Sequence, residues 1–203
     1  LASHDLEIRG AGELLGDEQH GHIESIGFSL YMEMLEQAVE ALKRGEQPDV
    51  EKPLSGGPEV NLRIPALIPE DYLPDVFTRL TLYKRIAGCN SAEALRELQV
   101  EMIDRFGLLP QQVKHLFSVT ALRQRAGKVG IRKIDAGGQW GRLEFSEQTV
   151  VNPLSLVKLV QSAPNRYKLD GATALKFVIS TETPDEKIDA VNKLLDVLAG
   201  PGS

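Results

Sequence analysis

Arg9 and Gln19 stand among four glycines, Gly10, Gly12, Gly16 and Gly21, in the stretch DLEIRGAGELLGDEQHG (residues 5–21). Glycine loses more backbone freedom on folding than any other residue, so such a stretch is costly to order. It suits either a plain surface loop or a loop shaped to lie against a ligand or a moving partner. Gly10-x-Gly12-x-x-x-Gly16 misses the dinucleotide fingerprint by one residue, and no strand of a βαβ unit precedes it. Gly127-Lys128 is followed by Val129, and no Gly-x-x-x-x-Gly-Lys-Ser/Thr occurs, so an ATPase-type phosphate loop is absent.

Catalytic constellations are missing too. The chain has no Gly-x-Ser-x-Gly, no His-Glu-x-x-His and no Cys-x-x-Cys. His20 and His22 flank Gly21 at a spacing that can chelate metal, but no third soft ligand sits nearby, and no metal site is read. Cys89 and His115 could serve as nucleophile and base; Cys89, in AGCNS at a helix junction, reads more simply as a small packed residue. The paired carboxylates fall on helix faces, where solvated charge belongs.

One helix face carries a denser pattern. Leu95, Leu98, Met102 and Phe106 repeat with helical period, and Glu97, Glu101, Asp104 and Arg105 form a contiguous polar strip on the other side. That strip is either plain solvated charge or a docking surface for an arginine-bearing partner. A second cluster, Lys114, Arg123, Arg125, Lys128, Arg132 and Lys133, spans residues 114–133 without an acid. It reads as a solvated helix face with its loop, or as a patch for an acidic partner or a phosphate backbone.

The elements that position these residues can be read from period and punctuation. Phe28–Arg44 is an amphipathic helix ended by Gly45. Gly45–Pro58, with three prolines and three glycines, is a linker. It separates residues 1–57 from an α+β domain at 58–203 with short antiparallel strands and about five helices. Within that domain, Glu59–Ala66 alternates like a half-buried strand. Three helices follow: Asp71 or Pro74 to Ala87; Asn90, as cap with Glu93, to Phe106; and Pro110 to Gly127. GIRKIDA and WGRLEFS make a hairpin across Gly137-Gly138, and YKLDG and ALKFVIS a second around Asp170-Gly171. Helices are expected at Pro153–Gln161 and Pro184–Leu198.

Composition sets the limits. The chain has 203 residues, 42% hydrophobic and 26% charged, as in soluble globular proteins. It contains a single cysteine, so no intrachain disulfide forms, which suits a reducing cytoplasm. No apolar run approaches membrane-spanning length, and no signal peptide is visible. The net charge of −6 is uneven: residues 1–57 carry four basic and twelve acidic side chains, while 58–203 carry nineteen basic and seventeen acidic ones. An acidic chain is a poor stand-alone binder of nucleic acid.

The stretch at residues 5–21 resembles the translocation motif shared by the RecG branch-migration helicases and the bacterial transcription-repair coupling factors. HIESIGFSLYMEML, LRIPALIPEDYLPDVFTRLTLYKRIA and ELQVEMIDRFGLLP are similar to the coupling-factor family in particular. The resemblance covers nearly the whole chain. It implies an ATP-driven double-stranded-DNA translocase that displaces stalled RNA polymerase and recruits the excision-repair protein UvrA. Arg9 and Gln19 match the motif's functional arginine and glutamine, with Gly10, Gly12 and Gly16 as its bending points. His20 departs from the family's usual serine. The domain at 58–203 then corresponds to a regulatory domain that folds back on a UvrB-like N-terminal module and masks its UvrA-binding surface. Glu101, Asp104 and Arg105 match the position of that contact, which is expected to be charged rather than oily so that it can open. The chain opens at Leu1 inside the motif and is read as part of a longer protein. By itself it is expected to be catalytically inert and free of cofactors, with ATP and Mg serving the full-length protein. The rival reading is an independent nucleic-acid-binding module using the Lys114–Lys133 cluster.

Overall fold

Val60, Leu62, Ile64 and Ala66 all turn into the core, yet only the first three residues of their segment make a strand. The computed structural model describes residues 57–200; the glycine-rich stretch, the Phe28–Arg44 segment and the linker lie outside the described residues. Strand β1 (Glu59–Asn61) stops because Arg63 takes a left-handed backbone, φ 53°, with its N–H donating to Asn61 Oδ1 at 3.2 Å. A non-glycine residue there is uncommon, and the asparagine side chain supports the turn locally.

Helix α1 (Val76–Ala87) begins at Asp75, whose carboxylate accepts from the Thr78 N–H at 3.1 Å. Helix α2 (Ala92–Phe106) is capped by Ser91, one residue after the expected Asn90, and ends at Gly107. Helix α3 (Gln111–Val129) runs past Gly127 and stops at Gly130, which adopts the left-handed conformation. Hairpin strands β2 (Ile131–Ala136) and β3 (Trp140–Phe145) follow. Helix α4 (Pro153–Ser162) starts on an Asn152 cap with proline in its first turn. Strands β4 (Tyr167–Asp170) and β5 (Ala174–Val178) form the second hairpin, and helix α5 (Pro184–Ala199) closes the domain from a Thr183 cap.

The five strands make one sheet in the order β1-β2-β3-β5-β4. The hairpin pairings are antiparallel, as expected; β1 adds to β2 in parallel, which makes the sheet mixed. Ile134, Leu143, Leu175 and Phe177 turn to one side of the sheet and are buried with Val113, Leu116 and Phe117 of α3 and Val191, Leu195 and Leu198 of α5. Among the described residues, five helices and a mixed sheet around one core make an α+β architecture.

Candidate docking face

Helix α2 buries Leu95, Leu98 and Met102, and Phe106 packs against the same core, so the expected apolar stripe is the inward face. The polar strip is outward, but its members have different attachments. Glu101 is gripped by Arg85 of α1: Nη2 donates to Oε1 at 2.8 Å and Nη1 donates to Oε2. Arg105, one turn on, donates to the same carboxylate at 3.4 Å. The Arg85 guanidinium holds the Glu101 carboxyl down to about 2, well below the usual carboxylate range. Arg105 also lies over the Phe106 ring, 4.7 Å from its centroid. Asp104 points outward and makes no ion pair among the described residues.

Beside these charges the face is apolar. Val100 is 58% exposed, Ile103 40%, and Leu108 87%, the last presented just after the Gly107 turn. Tyr72 fixes that turn: its hydroxyl donates to the Gly107 carbonyl at 3.4 Å, and its ring meets Phe106 edge-on at 6.4 Å. Val100, Ile103 and Asp104 lie at i, i+3 and i+4, on one outward face. The exposed surface around the expected charged residues is therefore mixed, with apolar side chains beside the charges. Arg85, Val100, Ile103 and Leu108 were not read from the sequence as part of this face. Their signal was available only for the two helix residues, which are apolar yet fall off the Leu95–Phe106 stripe.

The other expected groups separate. In the Lys114–Lys133 run, Arg125 pairs with Asn192 and Asp196 of α5, and Arg132 with Glu144. Arg123 donates to the Pro58 carbonyl at 2.9 Å, and Lys133 lies 4.0 Å from Glu59. Each of these four cations is joined to a group of the domain itself, and Arg123 shares a cleft with Lys128. Cys89 donates its thiol to the Arg85 carbonyl, and burial pushes that thiol up, the reverse of an activated nucleophile. His115 is buried, its Nδ1 donating to the Pro65 carbonyl at 3.0 Å and its Nε2 lying 3.3 Å from Asp185. Each has its own partners, and no nucleophile–base pair forms. Among the described residues no cluster of three potential metal ligands occurs, and no helix is long and apolar enough to cross a membrane. Arg9, Gln19, Gly10, Gly12, Gly16 and the His20–His22 pair lie outside the described residues.

The fold is that of a known class of α+β domain. A solved C-terminal domain of transcription-repair coupling factor superposes with a TM-score of 0.59 at 22% identity, covering 71% of this chain and 95% of that one. The TRCF domain family matches residues 62–156. The transcription-repair-coupling factor of Escherichia coli is 51% identical over 195 residues, 96% of this chain, and that of Haemophilus influenzae 50% identical over 98% of it. The Bacillus subtilis protein of the same name is 40% identical over 96% of the chain. This chain belongs to the transcription-repair coupling factor family, and it spans about 17% of the length of those three relatives.

Proposed function

We propose that the chain is the C-terminal part of an ATP-driven double-stranded-DNA translocase that releases stalled RNA polymerase and brings in nucleotide excision repair in the cytoplasm. In this reading residues 58–203 are an autoinhibitory domain. Their α2 face closes on the UvrB-like N-terminal module of the same protein and so masks the surface that UvrA binds. Residues 1–57 end the translocase module, and Arg9 and Gln19 couple its movement to DNA. The chain itself hydrolyses no ATP; ATP and Mg act at a site elsewhere in the full-length protein.

The observation that carries the reading is the outward face of α2. An uncommitted carboxylate, Asp104, and an arginine, Arg105, stand beside exposed Val100, Ile103 and Leu108. Charges around exposed apolar residues suit a contact that is specific yet able to open. The test uses the full-length protein with Asp104→Ala and Arg105→Ala together, leaving Glu101 on Arg85. Loss of contacts at an interface shifts the closed-to-open ratio tenfold for each 1.4 kcal/mol. The double variant is expected to capture UvrA at least about fivefold more readily than the parent. Capture equal to the parent's would show that this face is merely solvated.

A further inference from the structure

The sheet has a second side. Alternation along the strands puts Trp140, Arg142 and Glu144 of β3 opposite the buried Gly141 and Leu143. The pairing register aligns these outward residues into ranks across the sheet. One rank reads Asp135–Arg142–Lys176–Lys168, each residue directly opposite the next. Three cations in register are unfavourable for the sheet, because like charges directly opposite repel. The acids that offset them lie to one side: Asp170 holds Arg142 at 2.9 Å, Glu144 bonds the same guanidinium, and Asp170 lies 4.0 Å from Lys176. Lys168 has no ion pair within 4.0 Å among the described residues, and Arg63 reaches the same site, 3.5 Å from Asp135.

On the side away from those acids stands Trp140, paired with Val178 and 59% exposed. Rows that share a face are separated along the strands by about 7 Å. Trp140, Arg142, Lys168, Lys176 and Arg63 line an open cleft of about 600 Å³ together with Gly137 and Gly138, and Asp135, held by Arg63, is the one carboxylate in its lining among the described residues. A side chain added at Gly138 would meet nothing within 4 Å, so the turn is open on that side.

We infer that this face binds single-stranded nucleic acid, with a base stacked on Trp140 and phosphates on Lys168, Lys176 and the fixed guanidinium of Arg142. The chemistry favours this occupant over others. An exposed aromatic plane beside a cation rank is the pairing that single-strand binders use, because every base offers a π-face and every linkage a charge. A duplex keeps its bases stacked and leaves the indole unused. An acidic peptide satisfies the lysines but brings no plane. The site is separate from the α2 face and does not depend on how that face acts.

The chain contains one tryptophan, so its fluorescence reports the site directly. The experiment titrates the 203-residue protein with oligothymidylate, a duplex of equal length, polyglutamate and inorganic phosphate. Oligothymidylate is expected to quench Trp140 saturably. With about three phosphates engaged, binding should weaken roughly fifteen- to twentyfold between 50 and 200 mM salt. Lys168→Gln with Lys176→Gln should weaken it about tenfold or more with the domain still folded, since neutral residues remove the opposed like charges as well as the Lys176–Asp170 contact. Trp140→Ala, followed by anisotropy of a labelled oligonucleotide, should weaken it roughly fivefold or more. Absence of quenching by oligothymidylate overturns the inference. So does equal binding of duplex, polyglutamate or phosphate, or a lysine double variant that is folded by circular dichroism and binds like the parent.

Discussion

Arg85 of α1 and Glu101 of α2 are joined by a two-pronged ion pair sixteen residues apart in sequence. The pair ties two consecutive helices together on the edge of the face that Asp104 and Arg105 occupy. Glu101 is therefore a fastening within the domain as well as a candidate contact, and its replacement does not test docking cleanly.

Its titration follows from that pairing. The Glu101 carboxyl is depressed to about 2 from an ordinary 4.5, so the folded state holds the ionised form more tightly than the unfolded chain does. Its contribution is complete above 4.5 and fades as pH falls toward 2. Glu101→Gln should melt below the parent at pH 7, and the gap should close as the pH is lowered through that window. Because the pair is exposed, the gap is small and shrinks with salt. A gap constant from pH 7 to pH 3 would deny the carboxylate this role.

Gly130 offers a larger effect. It ends α3 at φ +81°, and a Cβ there would lie 2.4 Å from the Thr149 Cα and 2.9 Å from Thr149 N and Gln148 O. Those are backbone atoms, so relief requires moving the loop whose Ser146 and Val150 N–H groups donate to Gly130 O and Val129 O. Gly130→Ala should cost roughly 1–3 kcal/mol or more in denaturant unfolding. Gly138→Ala, with open space around it, should change stability by about 0.5 kcal/mol or less. Equal midpoints for the two variants would contradict the packing at Gly130.

Local chemistry made much of the fold legible. Both hairpins, the helix at Pro153 and the closing helix follow from turn residues, proline and period, and they form where those signals stand. The misses are of two kinds. Asn90 and Ser91 are both good caps, and Gly127 and Gly130 are both plausible stops; which one acts depends on tertiary packing. The other kind is long-range. The parallel addition of β1 to β2 links residues more than seventy apart, and Arg85 reaches Glu101 from another helix. Period within one helix locates a polar strip but cannot show which of its charges are already engaged, nor that Arg125 and Arg132 of the basic run are joined to acids elsewhere in the domain.

The translocation motif yields a prediction for the full-length protein. Arg9 and Gln19 stand in the glycine-rich stretch that resembles the translocation motif. Arg9→Ala or Gln19→Ala is expected to leave ATP binding and the melting of the C-terminal domain unchanged. Displacement of a stalled polymerase, or of a triplex strand from duplex DNA, should fall about tenfold or more. Wild-type displacement rates from both variants would remove their coupling role.

Lys187 supplies the last prediction, because it is a buried ammonium with a defined task. Its Nζ donates to the Leu62 carbonyl at 2.9 Å, just ahead of the left-handed turn at Arg63, and so pins α5 to the end of β1. Burial, aided by the nearby Arg63 charge, lowers this ammonium below its ordinary 10.5. The unfolded chain then holds that proton more tightly than the folded one. The parent's stability accordingly gains from Lys187 as pH rises from the lowered folded value toward 10.5. Lys187→Met keeps the apolar stem but leaves the Leu62 carbonyl without its donor, at a cost of roughly 1–3 kcal/mol that the lost desolvation penalty partly offsets. Thermal melts of parent and variant from pH 7 to pH 10.5 separate the two contributions. The parent should gain on the variant once the pH passes the lowered folded value, toward the upper end of that range, while the surface lysines common to both cancel. Parallel curves across that range would mean that Lys187 is as solvated in the folded domain as in the unfolded chain.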